Sequence, residues 1–364
     1  MPPETREIQS DSQCGTCRTE KTALYGGQAI IEGVMMKGPE RTVAACRTPS
    51  GKIVHKVLRE GADERKRNFW YKTPFLRGFL VLVDSLSVGY GALMFSGEVA
   101  DPDSEPKNPL LENLMVIVSL IIALVLFKFL PILGTTFILG YNLKEAEQVT
   151  VGSSVAFSAV EGVIKALVLV GYILSIRMIK DVKRVFQYHG AEHKTINGYE
   201  AGAPMTLDGV KNYPTFHPRC GTSFLFAVIL FSLIFAMCFP LITWWIAGDP
   251  ALALPGQGGF FSINLLWRLV LHIIFLPVIA SFGYEFIRFT AKFNPRSIFM
   301  KVLTYPGRLF QKITALEPDE NMLEVALVSM KLAMGEEIPE GESTVYSEYQ
   351  SLLISSRQKS EAKS

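Results

Sequence analysis

The sequence predicts a polytopic α-helical membrane protein of about four transmembrane helices, with a small β-rich unit before them and an amphipathic helical region after them. Hydrophobic residues make up 49% of the 364 residues, a bias typical of membrane proteins. A helix needs about 20 consecutive apolar residues to cross a bilayer. Four stretches meet this condition, at 114–139, 155–179, 222–247 and 263–287.

The distribution of basic residues predicts the orientation of these spans. Segments 1–111, 177–220 and 288–364 share one side of the predicted membrane, and they hold 32 of the 36 lysine and arginine residues. Loops rich in lysine and arginine face the cytoplasm. The N-terminus lacks the apolar core of a signal peptide. We therefore expect a multi-pass protein of the cell membrane with the bilayer as a partner and both termini in the cytoplasm.

The net charge of +2 and five scattered cysteines narrow the class further. Basic residues nearly balanced by acidic ones give no case for nucleic-acid binding. An odd cysteine count argues against a secreted disulfide scaffold. The oligomeric state stays open, with a homo-oligomer among the alternatives.

Composition divides the chain into six segments. In the segment 23–73, the strand pattern has a turn at Pro49-Ser50-Gly51. In the segment 289–335, the last helix begins near Asp319 and stops at Gly335, and we expect its apolar stripe to pack on the β-rich unit. The segments are a polar, disordered tail (1–22), a cytoplasmic β-rich unit (23–73), an interfacial segment and linker (74–110), the transmembrane bundle with the cytoplasmic loop 180–220 (111–288), cytoplasmic or interfacial helices (289–335) and a second polar, disordered tail (336–364).

The leading candidate site is the stretch Tyr188-His189-Gly190-Ala191-Glu192-His193-Lys194, which we expect to continue the helix of the second span. On a helix, His189 and His193 lie one above the other with Glu192 beside them. His-x-x-Glu-His is the spacing of the inverted zinc-peptidase motif, in which the carboxylate is the catalytic base. The motif predicts a divalent metal, most simply zinc, with Glu192 as the catalytic residue. His217 and Cys220 follow at turn spacing and are further candidate ligands.

Several other polar residues have two interpretations each. The fourth span brings Glu285 back to about the same membrane depth as the motif. Glu285 is either another metal ligand or a carboxylate that snorkels to the interface or pairs with Arg288. Glu32 is either a ligand or base, or an ordinary carboxylate at a strand edge. Cys14 and Cys17 are half of a zinc site, a redox pair or two exposed thiols. Another group consists of three charged residues inside the spans. Glu161 and Lys165 are four residues apart on the second span, and Lys128 lies on the first; together they form either a structural salt-bridge network or an ion path.

The chain resembles the YqhQ-like family of bacterial membrane proteins. The resemblance covers roughly residues 23–335 and implies a membrane-embedded, metal-binding protein; the family is described as predicted metal-dependent enzymes of unknown function. It rests on Gly26-Gly27-Gln28-Ala29-Ile30-Ile31-Glu32-Gly33-Val34-Met35-Met36, on the motif from Tyr188 to Lys194, on His217-Pro218-Arg219-Cys220-Gly221-Thr222-Ser223 and on Glu317-Pro318-Asp319-Glu320.

These features leave three classes of function open. The first is a metal-dependent hydrolase that acts on a peptide or lipid at the cytoplasmic membrane surface. The second is a non-catalytic scaffold or accessory protein with a closed structural zinc site. Three ligands plus water favour the first, and four protein ligands favour the second. The third class, a metal or ion transporter, has only the charged residues inside the spans to support it.

Overall fold

The structure is a computed structural model that describes residues 23–61, 69–102, 109–139, 150–248, 263–290, 293, 297–338 and 343–348. The described part of the chain is mostly helical and begins with a β-sheet, as the sequence predicts. Cys14 and Cys17 lie outside the described residues, so the interpretations of this pair stay predictions.

The N-terminal sheet is antiparallel through four strands: β1 (Gly26–Ile30), β2 (Gly33–Lys37), β3 (Arg41–Arg47) and β4 (Ile53–Glu60). The predicted turn between the last two is present, with Gly51 at φ 88°. A short strand, β5 (Thr344–Val345), pairs in parallel with β4, which gives the order β1-β2-β3-β4-β5. We expected this part of the chain to be a polar tail. Two β-branched residues instead cover the otherwise free edge of β4.

Most of the other described residues lie in helices. In order they are α1 (Leu76–Ala100), α2 (Pro109–Leu124), α3 (Leu130–Leu139), α4 (Val151–Ile176), α5 (Lys180–Glu200), α6 (Leu207–Val210), α7 (Gly221–Ala247), α8 (Ile263–Thr290), α9 (Ile298–Thr314) and α10 (Glu320–Ala333). A π-helical turn, Val125–Phe129, joins α2 to α3.

Four of these helical segments are long and apolar enough to cross a membrane: Leu76–Ala100, Ile117–Leu139, Val151–Ile176 and Phe224–Ile246. Three of them coincide with predicted spans. The fourth predicted span is the 28-residue helix α8, whose side chains are described only in part. We did not predict α1 as a span, because charged and glycine residues interrupt its apolar sequence.

Contacts along α1 show why its composition is mixed. Its first half packs closely on α8, where a side chain at Gly78 would lie 2.9 Å from the Cα of Ser281. Its centre presents the buried Asp84, which accepts hydrogen bonds of 2.7 and 3.1 Å from the guanidinium group of Arg59 on β4. Its second half shares an apolar core with the sheet, including Phe95. The sheet therefore covers one side of the second half of this helix, and the placement of the helix at the membrane surface stays a prediction.

The helix α5 carries the His-x-x-Glu-His motif on its own axis. We expected the motif to continue the second span, but that span ends at Ile176 and Ile179 adopts an extended conformation with ψ 127°. The chain changes direction there before α5 begins at Lys180. This break lets α5 leave the line of α4 and pack against β1 and β2.

The helix α10 holds α5 and the sheet together. Its buried residues, among them Met322, Ala326 and Met330, share one core with Val43 of β3 and Tyr188 of α5. The predicted packing of its apolar stripe on the β unit is therefore confirmed. The predicted bounds are confirmed too, since the helix starts after Asp319 and ends two residues before Gly335, which has φ 83°.

Asp319→Ala is expected to lower the free energy of unfolding by roughly 1 kcal/mol, the usual effect of removing an N-terminal cap. The Asp319 carboxylate accepts a 2.9 Å hydrogen bond from the Met322 amide. Chemical denaturation of the detergent-solubilised protein measures the change. Asp319→Asn keeps a capping oxygen and should stay close to wild type; equal losses in both variants would contradict the capping role.

Candidate metal centre

Three side chains converge between α5 and the start of α7: His189, His193 and Cys220. One ligand atom from each lies within 4.8 Å of the other two. The imidazole centroids of His189 and His193 are 4.3 Å apart, as expected for residues one helical turn apart. Cys220 comes from the turn just before α7 and places its Sγ atom 3.1 Å from Nε2 of His189. The structure thus brings together three of the predicted ligands.

Main-chain carbonyls orient both imidazoles. Nδ1 of His189 lies 2.8 Å from the carbonyl oxygen of Thr314, and Nδ1 of His193 lies 2.5 Å from that of Thr215. A carbonyl oxygen only accepts hydrogen bonds, so each Nδ1 carries the proton and each Nε2 keeps its lone pair. This is how metal-binding histidines are usually held.

His193 has the properties of a metal ligand. Its Nε2 atom is buried and has no hydrogen-bond partner among the described residues, which is costly for a polar atom. Burial also lowers the pKa of His193, which favours the neutral imidazole that a metal binds. Two nitrogens and one sulfur are a donor set that zinc accepts. Atoms bound tetrahedrally to one zinc ion lie roughly 3–4 Å apart, a spacing that this cluster can adopt.

Glu192 lies beside the three ligands and is buried. Burial raises the pKa of its carboxyl group, and the nearby His189, His217 and the amide of Gly27 on β1 oppose that shift. A side chain at position 27 would come within 2.8 Å of the Glu192 carboxyl carbon, so only glycine permits this approach. The first glycine-rich motif therefore positions the candidate base.

A cavity of about 370 Å³ opens onto this cluster. Its polar wall includes His189, Glu192 and Cys220. Its other walls come from β1 and from apolar residues of four helices: Ile173 and Ile176 of α4, Val185 and Phe186 of α5, Leu225 of α7 and Phe310 of α9. The volume is within the range of small-molecule sites, about 300–1,000 Å³.

His217 is near the centre but outside the group of three. Its main chain exchanges two hydrogen bonds with the Gln311 side chain, of 2.9 and 3.0 Å, and its Nε2 is 3.6 Å from a carboxylate oxygen of Glu200. Glu200 also pairs with Arg219. The His217 ring centroid lies 5.7 Å from that of His193. His217 therefore packs behind His193, with its ring turned towards Glu200.

Glu285 is not placed with the ligands. Its carboxylate accepts hydrogen bonds of 2.6 and 2.5 Å from the guanidinium group of Arg77 on α1. Glu32 is likewise engaged elsewhere, with two contacts of 2.5 Å from Arg184. We remove Glu285 from the proposed ligand set, because its two oxygens already hold a positive partner.

The charged residues inside the predicted spans favour the structural interpretation. Glu161 and Lys165 form an ion pair of 2.5 Å on one face of α4. Among the described residues, no second group of three metal-ligating side chains occurs. The transporter hypothesis therefore gains no support from these residues.

Sequence reasoning missed the residues that support the centre through their main chain. Thr215 and Thr314 contribute only carbonyl oxygens, for which no side-chain signature exists. The sequence motif includes Gly190 but does not indicate what it does. In the structure, Gly190 packs against the main chain of Leu316. Lys194 also gains a role, since its ammonium group is 2.5 Å from Glu317 of the Glu-Pro-Asp-Glu motif.

Comparison with known proteins places the chain in a family. Residues 73–336 match the model of the family described as "Protein of unknown function (DUF1385)", which spans more than half of the chain, so the chain belongs to this family. A relative is the "Uncharacterized protein YqhQ" of Bacillus subtilis (strain 168), 34% identical over 312 residues that cover 84% of this chain and 90% of the relative. The resemblance noted from the motifs is thus confirmed. Comparison with solved structures gives no significant match.

Proposed function

We propose that the protein is a membrane-embedded, metal-dependent hydrolase with His189, His193 and Cys220 as its metal ligands and Glu192 as its general base. The observation that carries the proposal is the group of three ligand side chains beside a cavity that also contains Glu192. Three protein ligands leave a fourth coordination position for water or substrate, as in catalytic zinc sites. The bound metal would polarise the attacking water.

Glu192 has the surroundings that general-base chemistry requires. Its buried carboxyl group has a raised pKa, which makes the carboxylate a stronger base than an exposed glutamate. In hydrolysis it takes one proton from water as the water oxygen bonds to the substrate carbonyl carbon. It then gives that proton to the leaving group as the bond between the carbonyl carbon and the leaving group breaks.

The orientation predicted for the apolar helices indicates where the metal centre lies relative to the membrane. We propose that the apolar helices cross the cell membrane, that both termini lie in the cytoplasm and that the centre lies at the cytoplasmic surface. The apolar residues of α4 and α7 end beside the cavity, which supports a substrate reached from the membrane surface. This topology follows from the loop charges.

The second candidate is a scaffold with a structural zinc site. The observation that favours it is the Nε2 atom of His217, which is buried and has no hydrogen-bond partner in the described part of the chain. A rotation towards His193 would add a fourth ligand and close the site. The present 3.6 Å approach to Glu200 favours the hydrolase instead.

Metal analysis of the detergent-purified protein tests both candidates. We expect about one zinc ion per chain in the wild type, lost in His189→Ala, His193→Ala and Cys220→Ala. His217→Ala and Glu285→Gln should keep the metal. Glu285→Gln is the control, because it changes a polar side chain that lies outside the ligand group. Elution volume in size-exclusion chromatography checks the fold of each variant.

Two results would change the conclusion. Loss of zinc from a folded His217→Ala variant would favour the closed, structural site. A wild-type protein that neither contains zinc nor takes up added zinc would contradict the metal centre and, with it, the hydrolase.

A further inference from the structure

The strand β1 is an edge of the sheet and lies beside the candidate centre. The pairing of the strands shows which main-chain groups of β1 point away from the sheet. The amide of Arg47 on β3 bonds the carbonyl of Glu32, so residues 32, 34 and 36 direct their main-chain polar groups towards β3. Because these directions alternate along a strand, residues 33, 35 and 37 bond to their β1 partners, which are Ile30, Gln28 and Gly26.

It follows that Gly27 and Ala29 direct their main-chain groups away from the sheet. The amide of Gly27 faces Glu192. Within the described residues, the amide and carbonyl of Ala29 have no hydrogen-bond partner. An unpaired strand edge is a template for pairing with another extended chain. Natural proteins usually cover or charge such an edge, whereas this one borders a cavity.

The side chains of this edge leave room for a second backbone. Gly26, Gly27 and Ala29 are the smallest residues available, and Gly27, Gln28 and Ala29 line the same cavity as His189 and Glu192. Along a strand, Ala29 is about 7 Å from Gly27. A chain paired with Ala29 would therefore pass Glu192 about two residues further along.

We propose that the substrate is an extended peptide whose main chain pairs with Ala29 on the free edge of β1. The proposal rests on the proposed hydrolase function and selects a peptide rather than a lipid as its substrate. One substrate residue would accept a hydrogen bond from the Ala29 amide and donate one to its carbonyl, as in other strand-addition complexes. The reaction breaks the carbonyl carbon–nitrogen bond, forms a carboxylic acid and leaves an amine that receives the proton from Glu192.

The apolar walls of the cavity define the side chains that the substrate carries. Residues from α4, α5, α7 and α9 surround the space opposite β1, among them Ile176, Phe186 and Phe310. Alternate side chains of an extended peptide point to the same side. The site thus fits a peptide with a large apolar residue near the bond that is cleaved.

Binding measurements on the full-length Glu192→Gln protein in nanodiscs test the proposal without turnover. The probe is an equimolar mixture of fluorescein-labelled seven-residue peptides with Leu, Val or Phe at the centre and Lys at both ends. Fluorescence anisotropy gives the dissociation constant. Ala29→Pro removes the outward amide, a change that an edge strand tolerates, while Ala29→Ser keeps it and serves as the matched control.

We expect Ala29→Pro to bind the mixture about three- to tenfold more weakly than Ala29→Ser, the usual effect of one lost hydrogen bond. Equal binding by the two variants, or no binding of the mixture, would overturn the proposal. So would displacement of the probe by a lysophospholipid together with equal affinities, which would indicate a lipid. Zinc content is measured on the same samples and tests the hydrolase, so the two proposals can fail separately.

Discussion

Glu192→Gln is expected to slow hydrolysis of the apolar peptide mixture by about 10²- to 10⁴-fold while zinc content stays at the wild-type value. The amide has nearly the shape of the carboxylate but does not accept a proton from water. Since His189, His193 and Cys220 form the ligand group without Glu192, the metal should remain. Peptide cleavage followed by mass spectrometry, with zinc measured on the same preparation, gives both quantities.

Glu285→Gln is the control for this experiment. It makes the same chemical change at a carboxylate that pairs with Arg77, away from the ligand group. It should cleave the peptides at close to the wild-type rate. If Glu192→Gln were equally active, Glu192 would have no role as a base. If the Glu192→Gln variant lost zinc as well as activity, Glu192 would be a metal ligand.

Gly190→Ala is expected to destabilise the fold by on the order of 3 kcal/mol and to release the metal. A methyl group at this position would overlap the carbonyl oxygen of Leu316. Neither partner can rotate away, because one is part of a helix and the other is main chain. Separation of α5 from this segment would also break the hydrogen bond between His189 and Thr314. Thermal unfolding in detergent and zinc content measure the two effects.

Gly171→Ala is the matched control for this prediction. Gly171 also lies within a long helix, but a side chain there would meet no atom within 4 Å. Alanine favours a helix more than glycine does, so this variant should be as stable as wild type or slightly more stable. A loss of stability as large as that of Gly190→Ala would mean that a general effect, and not the Leu316 contact, is responsible.

The parts of the structure that were predictable depend on local signals. His189 and His193 meet because residues four apart share one helix face, whatever the helix packs against. Asp319 begins α10 because its side chain caps the helix within its own turn. The turn at Gly51 has a similar local cause, a backbone conformation that glycine favours.

The structure differs from the sequence-based expectations where the answer depends on lateral position in three dimensions. Glu285 was predicted as a ligand from its depth in the membrane, but depth is one coordinate, and the packing of α8 on α1 places it against Arg77. The apolar sequence of α1 does not say whether lipid or the sheet covers it. Thr314 supports His189 through a carbonyl oxygen that every residue type possesses. Such contacts have no sequence signature.

The centre draws on segments that are far apart along the chain, and this has a consequence for biosynthesis. Gly27 approaches Glu192 from the beginning of the chain, while the carbonyl that orients His189 belongs to Thr314 near its end. Ser329 of α10 donates a hydrogen bond to Val43 across 286 residues. The ribosome adds residues in order, so a nascent chain has the ligands and Gly27 long before it has Thr314 and α10. If the proposed hydrolase function holds, activity should therefore appear only after residue 333 has left the ribosome, when the apolar helices have already been made.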